Sequence, residues 1–515
     1  MKYFVLILSV LLCITTAYAQ EAEPEVDGCT TPACIGQWTA PMPSGPVGNP
    51  TVVVHMAVLP NGKVFLWSRA GAAGGGENGS EPTMTWNPAN NQYEVGPHID
   101  DIFCSGHALL PDGRLLVAGG TLEGAAVVSP YNGVTKTWGT PVKMNNDRYY
   151  PSNLPLANGE QLMIAGGAGK VNGKNVENTI PQVWTTSNTL RTLSGANMKF
   201  LQYPWLSLAP DGRVFISGPQ PTTYFLNTTG NGTLTAGPAS HSVWNTFRVA
   251  GVPVTYRPGK ILITGGANGV AGGTVPRQTT NTAETIDLNQ SPPHWVKAGS
   301  MAKARVDHMA FVLPTGDVLV AGGTTGFGGF PGLDETAGHD PDESKAVLTP
   351  ELWNPGQPGT WQKMATMSKP RMYHSTGALL PDGRVYVGGG GKKDGFTDQR
   401  TAEIFSPPYL FKGARPSIGT IISQAGNNQI HYGESFTVTT SSTNITRATL
   451  VRLPSTTHSL DFNQRFYEFA LPVAVAGGVR LTAPGSGTIA PPGHYYLFVI
   501  NSAGVPSVAK IIRIQ

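Results

Sequence analysis

The sequence predicts an all-β chain: a seven-bladed kelch-type β-propeller followed by an immunoglobulin-like, early-set β-sandwich. Three observations carry this. The composition is turn-rich, with 64 Gly and 43 Pro among 515 residues and 13% charged residues, which suits many short strands. One hairpin unit is written seven times. After residue 411 the repeat stops and a stretch of short alternating strands begins.

The repeated unit is a strand, a turn containing Asn-Gly, Asp-Gly or a relative, and a second strand often ending in Gly-Gly. Its turn glycines are 62, 113, 159, 212, 259, 316 and 383, at spacings of 51, 46, 53, 47, 57 and 67 residues. These lie near the kelch period of roughly 50 residues. A third strand such as Glu351 to Trp353 and a fourth running from Trp to Met, as in Trp361 to Met364, complete four strands per blade. The Trp-to-Met signature also occurs early, at Trp38 to Met42, and is missing after the seventh hairpin. The N-terminal strand is therefore expected to complete the last blade and close the ring.

Residues 1–19 read as a signal peptide: Lys2, an apolar run through Leu12, and the small-residue site Ala17-Tyr18-Ala19. Residues 20–35 form an N-terminal segment, 36–411 the propeller and 412–515 the sandwich, with strands expected around Phe436, Leu450, Phe466 and Leu497. A secreted or extracellular location is expected, periplasmic in a Gram-negative host. No segment after the leader is long and apolar enough to span a bilayer. A net charge of +3 without a basic cluster argues against nucleic acid, and a monomer is expected. Cys29 and Cys34 flank a short Pro-containing loop suited to a local disulfide, which leaves Cys104 over.

Candidate chemistry emerges from counting back from the turn glycines. Cys104, Tyr150 and His374 each lie nine residues before their glycine, and Tyr373 adjoins His374. Taken singly, each reads as packing: a Cys as a small buried hydrophobe, a Tyr or His as a satisfied rim residue. Their coincidence at one blade position points to a site. Phenolates with imidazoles favour a tetragonal Cu(II) or an oxidised iron site over zinc. The same offset holds Val53, Tyr203, Ala250 and Asp307 in the other blades, so the position is not uniformly chemical and its chemistry is read as concentrated in blades two, three and seven.

The motifs Asp101 to Gly106, Arg148-Tyr149-Tyr150, Arg371-Met372-Tyr373-His374-Ser375, Thr457-His458-Ser459 with Asn463-Gln464-Arg465, and Pro492-Gly493-His494-Tyr495-Tyr496 leading to Pro506-Ser507 resemble the copper radical oxidases, the galactose oxidase and glyoxal oxidase family. The resemblance covers nearly the whole mature chain. It implies a Cu(2+) ligand set of Tyr150, Tyr373, His374 and His458, the last delivered by a loop of the C-terminal domain. It also implies a radical cofactor made by a thioether between Cys104 and Tyr150. Tyr373 would take the substrate's proton, Tyr150 would take hydrogen from carbon, and O2 would leave as hydrogen peroxide. Two departures tilt the reading to the glyoxal oxidase side. Gly166-Gly167-Ala168-Gly169-Lys170 lacks the indole that stacks over the thioether in galactose oxidase, and only residues 20–37 separate the leader from Trp38. Small aldehydes and O2 are the expected partners. The alternatives are a galactose-oxidase-like primary alcohol oxidase and a non-catalytic kelch protein binding glycans or a partner.

Overall fold

The computed structural model describes residues 28–515 apart from 47, 70–82, 98, 100, 122–124, 172–173, 239–246, 269–277, 328–338 and 394. The expected signal peptide lies outside the described residues.

Each repeat folds as an antiparallel sheet whose first two strands are the hairpin around the turn glycine. Blade one is His55–Val58, Val64–Trp67, Met84–Asn87 and Gln92–Val95. Blade five, with longer strands, is Val252–Arg257, Lys260–Thr264, Thr282–Asp287 and Trp295–Ser300. All seven turn glycines have φ between +73° and +91°, a region that a Cβ disfavours, which is why the turns keep this residue. In blade seven, Ser375–Leu379, Val385–Gly389 and Thr401–Ser406 are completed by Gln37–Trp38 and Met42–Pro43 pairing with Thr401–Ser406. The N-terminal strand closes the ring, as expected.

The sandwich has one sheet of Ile421–Ile422, Ser435–Thr439, Gly478–Thr482 and Val473–Val475, and a second built around Ile445–Arg452 and Gly493–Asn501. Its core of Phe436, Leu450, Leu497 and Ile512 is separate from that of the propeller. It docks against the turn ends of the inner strands: Thr449 Oγ1 donates to the Pro314 carbonyl at 2.8 Å and Arg452 Nη2 to the Leu109 carbonyl at 3.2 Å. One hairpin leaves the sandwich. Its strands Ser455–Thr457 and Leu460–Asp461 extend blade one to six strands, with Ser455–Thr457 antiparallel to His55–Val58. The inner strands run toward the turn end, so the antiparallel Ser455–Thr457 strand runs away from it and carries the hairpin's tip to the opposite face. The loop expected to hold His458 is thus the turn of a paired hairpin.

Candidate metal centre

Six of the seven residues nine before a turn glycine have left-handed backbone: Cys104 (φ 61°), Tyr150 (63°), Tyr203 (47°), Ala250 (54°), Asp307 (56°) and His374 (67°). Non-glycine residues adopt this conformation at a cost of about 1–2 kcal/mol. Neighbouring copies support one another. The N–H of Tyr150 donates to the Cys104 carbonyl at 3.0 Å, that of Tyr203 to the Tyr150 carbonyl at 2.8 Å, and that of Asp307 to the Ala250 carbonyl at 3.0 Å. The left-handed residue enters the inner strand out of strand geometry. Three of these side chains, with that of Tyr373, meet at the hairpin tip, where His458 (φ 48°) is left-handed as well.

The sequence-predicted residues converge. Tyr150 Oη and Tyr373 Oη are 2.5 Å apart. Cys104 Sγ lies 3.6 Å from His458 Nε2, and ligand atoms of Cys104, His374 and His458 all fall within 4.8 Å of one another. The His458 ring is edge-on to Tyr150 (4.8 Å between centroids) and to His374 (4.7 Å). All five side chains are buried.

Hydrogen-bond direction leaves both imidazoles with an Nε2 lone pair. His374 Nδ1 lies 2.6 Å from the Gly391 carbonyl, which only accepts, so Nδ1 carries the proton. Its Nε2 is buried without a partner, the state a metal ligand requires. Tyr203 Oη donates to the Ser105 carbonyl at 3.0 Å and so only accepts from His458 Nδ1 at 3.4 Å. Thr457 Oγ1 is 2.6 Å from the same nitrogen. Burial lowers His374 to about 3 and holds His458 well below the ordinary range, so both are neutral at physiological pH. Burial raises the Tyr150 and Tyr373 phenols well above theirs and the Cys104 thiol to about 12. Two neutral imidazoles and two phenols that need a nearby cation in order to ionise make a donor set that fits a divalent ion.

Two further groups belong to the site. Tyr203, in a blade read from the sequence as outside the chemistry, touches His458 as described. Asp307, read likewise, accepts from His339 Nδ1 at 2.8 Å, and the His339 ring lies parallel to Tyr373 at 3.5 Å and 15°. Membership of the nine-residue position was the available signal for Tyr203 and Asp307; His339 sits in a long inter-strand segment and carries none. No described ring lies parallel to Tyr150. Tyr149, Tyr203 and His458 meet it at 90°, 84° and 75°.

Residues 82–409 match the glyoxal oxidase N-terminus family, and residues 415–514 match the galactose oxidase-like early set domain. The chain belongs to the copper radical oxidase family. Galactose oxidase of Gibberella zeae is 31% identical over 510 residues, covering 93% of this chain and 72% of that protein. The aldehyde oxidase GLOX of Vitis pseudoreticulata is 29% identical over 451 residues, covering 81% of this chain and 82% of that one. Among solved structures, a fungal alcohol oxidase of the AA5 family in complex with copper superposes with a TM-score of 0.79 at 25% identity, covering 93% of this chain and all of that one. The copper radical oxidase fold thus accounts for both domains. Among the described residues no helix is long and apolar enough to cross a membrane. Cys29 and Cys34 are disulfide-bonded, and Cys104 is free and buried.

Proposed function

We propose that the chain is a secreted copper radical oxidase that converts small aldehydes of the glyoxal type to carboxylic acids and O2 to hydrogen peroxide. The observation that carries this is the meeting of Tyr150, Tyr373, His374 and His458 around Cys104, drawn from three blades and the inserted hairpin. Residues 36–411 supply four of these groups and residues 412–515 the fifth. The two histidines would hold copper through Nε2, and Tyr150 and Tyr373 through their phenol oxygens. Bound copper supplies a one-electron couple and the positive charge that lets buried phenols ionise.

The remaining work falls to the chain. An aldehyde hydrate offers an O–H and a C–H for removal, as an alcohol does. Tyr373 Oη takes the O–H proton. Tyr150, whose ring becomes easier to oxidise once joined to the Cys104 sulfur, takes the hydrogen from carbon. The 2.5 Å separation of the two phenol oxygens would let both act on one substrate carbon and its oxygen. Burial keeps water from competing. Secretion is supported by the leader-like composition of residues 1–19 and by the Cys29–Cys34 disulfide.

The aldehyde reading is favoured over alcohol oxidation by the match to the glyoxal oxidase N-terminus and by the lack of a parallel ring over Tyr150 among the described residues. The test is peroxide release from the copper-loaded mature chain with glyoxal, methylglyoxal, glycolaldehyde, benzyl alcohol and galactose. Fastest turnover on the aldehydes is expected. Preference for galactose or benzyl alcohol would establish the alcohol oxidase instead, and silence on all five would leave the non-catalytic kelch reading.

A further inference from the structure

Cys104 is held differently from Tyr150, Tyr203 and Asp307, whose N–H groups reach a neighbouring copy's carbonyl. Its N–H has no counterpart carbonyl to reach in blade one: Val53 is not left-handed, and the Val53 carbonyl oxygen faces Gly389 so closely that a Cβ there would lie 1.9 Å from it. The Cys104 N–H donates instead to His55 Nε2 at 3.0 Å. A side chain replaces the missing backbone acceptor.

The proton positions behind that bond follow from its neighbours. Ser455 Oγ donates its one proton to the His107 carbonyl at 3.1 Å, so it accepts from His107 Nδ1 at 2.6 Å. His107 Nδ1 is therefore protonated and Nε2 bare. His55 Nε2 is occupied as an acceptor, so His55 Nδ1 carries its proton and donates to His107 Nε2 at 3.3 Å. One arrangement satisfies every contact with both rings neutral. Cys104, His55, His107 and Ser455 have no exposed surface, and Trp67 stacks on His55 at 4.7 Å and 5°. The relay begins on the hairpin that carries His458 and ends on the backbone of Cys104.

We propose that His55, His107 and Ser455 are positioning residues that set the Cys104 thiol against Tyr150 for thioether formation, and that they couple this step to seating of the His458 hairpin. The step breaks the Cys104 S–H and one ring C–H of Tyr150 and forms one C–S bond. Two electrons and two protons pass to O2, giving hydrogen peroxide. The inference rests on the oxidase reading above.

The full chain, purified copper-free with its thiol intact, is mixed with Cu(II) in air and followed by intact mass and by alkylation of unreacted Cys104 after denaturation. The wild type loses two hydrogens and its alkylatable thiol. His55→Phe, which keeps a ring under Trp67 but removes the acceptor, cross-links at least about tenfold more slowly, and His55→Gln, which retains an acceptor, stays within about threefold of wild type. Ser455→Ala, the mildest change, slows the step by about threefold. Wild-type rates in His55→Phe, or equal slowing in His55→Gln, overturn the proposal. Should His55→Phe not fold, a wild-type rate in Ser455→Ala overturns it. A wild type that binds copper without losing hydrogens refutes the oxidase reading itself.

Discussion

Blades five and seven share a frame and differ in what they present. In blade five Arg248 is buried, donates to the Gly265 carbonyl at 2.6 Å, and pairs with Glu284 at 2.5 Å. In blade seven Arg371 is buried, donates to the Gly389 carbonyl at 3.1 Å, and pairs with Glu403 at 3.3 Å. In each blade a left-handed residue follows, Ala250 or His374. One residue separates Arg248 from Ala250, whereas two separate Arg371 from His374, and the second of these is Tyr373. The arginine, its carboxylate and the left-handed entry thus form a scaffold that tolerates alanine. What distinguishes blade seven is the side chain at that entry plus one extra residue.

Four substitutions bear on this division. The largest effect is expected from Tyr373→Phe, which leaves the scaffold in place and removes the proposed proton acceptor: kcat falls by about 10²–10⁴ in the peroxide assay, while thermal stability is unchanged. Full activity in this variant would remove Tyr373 from the chemistry.

Next come Arg248→Met and Arg371→Met. Each strips a buried glutamate of its guanidinium, at about 3–5 kcal/mol in denaturant unfolding. If scaffold and site are separable, Arg248→Met retains copper stoichiometry and turnover at a temperature where it is folded, whereas Arg371→Met, three residues from His374, loses turnover as well. Equal loss of turnover in both would show that the frame itself is catalytic.

The smallest effect is expected from Tyr203→Phe. It deletes the hydroxyl that accepts from His458 Nδ1, and copper affinity falls by about tenfold, read by competition with a chelator. An unchanged affinity would leave Tyr203 outside the site, with the rest of blade four.

The parts legible in the sequence are those governed by a constant local length. A hairpin of fixed strand and turn length places every residue nine before its glycine at the same height in its blade, so Cys104, Tyr150 and His374 were identifiable by counting. The same rule reached Tyr203 and Asp307, but the chemistry was confined to blades two, three and seven. It locates a position without saying which copies face one another across the axis. His458 was reachable only through the family resemblance, because no blade register applies to a hairpin from another domain. His55, His107 and His339 carried no signal, since their roles depend on which way a hydrogen bond points.

The sequence by itself determined the repeat, its closure by the N-terminal strand, the separate C-terminal sandwich and the shared blade position of Cys104, Tyr150 and His374, because periodicity, turn glycines and strand length act over a few residues. Only the tertiary structure decided that the hairpin pairs beside His55–Val58, that the Tyr150 and Tyr373 hydroxyls meet, and that His374 keeps its Nε2 lone pair. Those outcomes depend on distances between segments hundreds of residues apart and on the direction in which each buried donor spends its single proton.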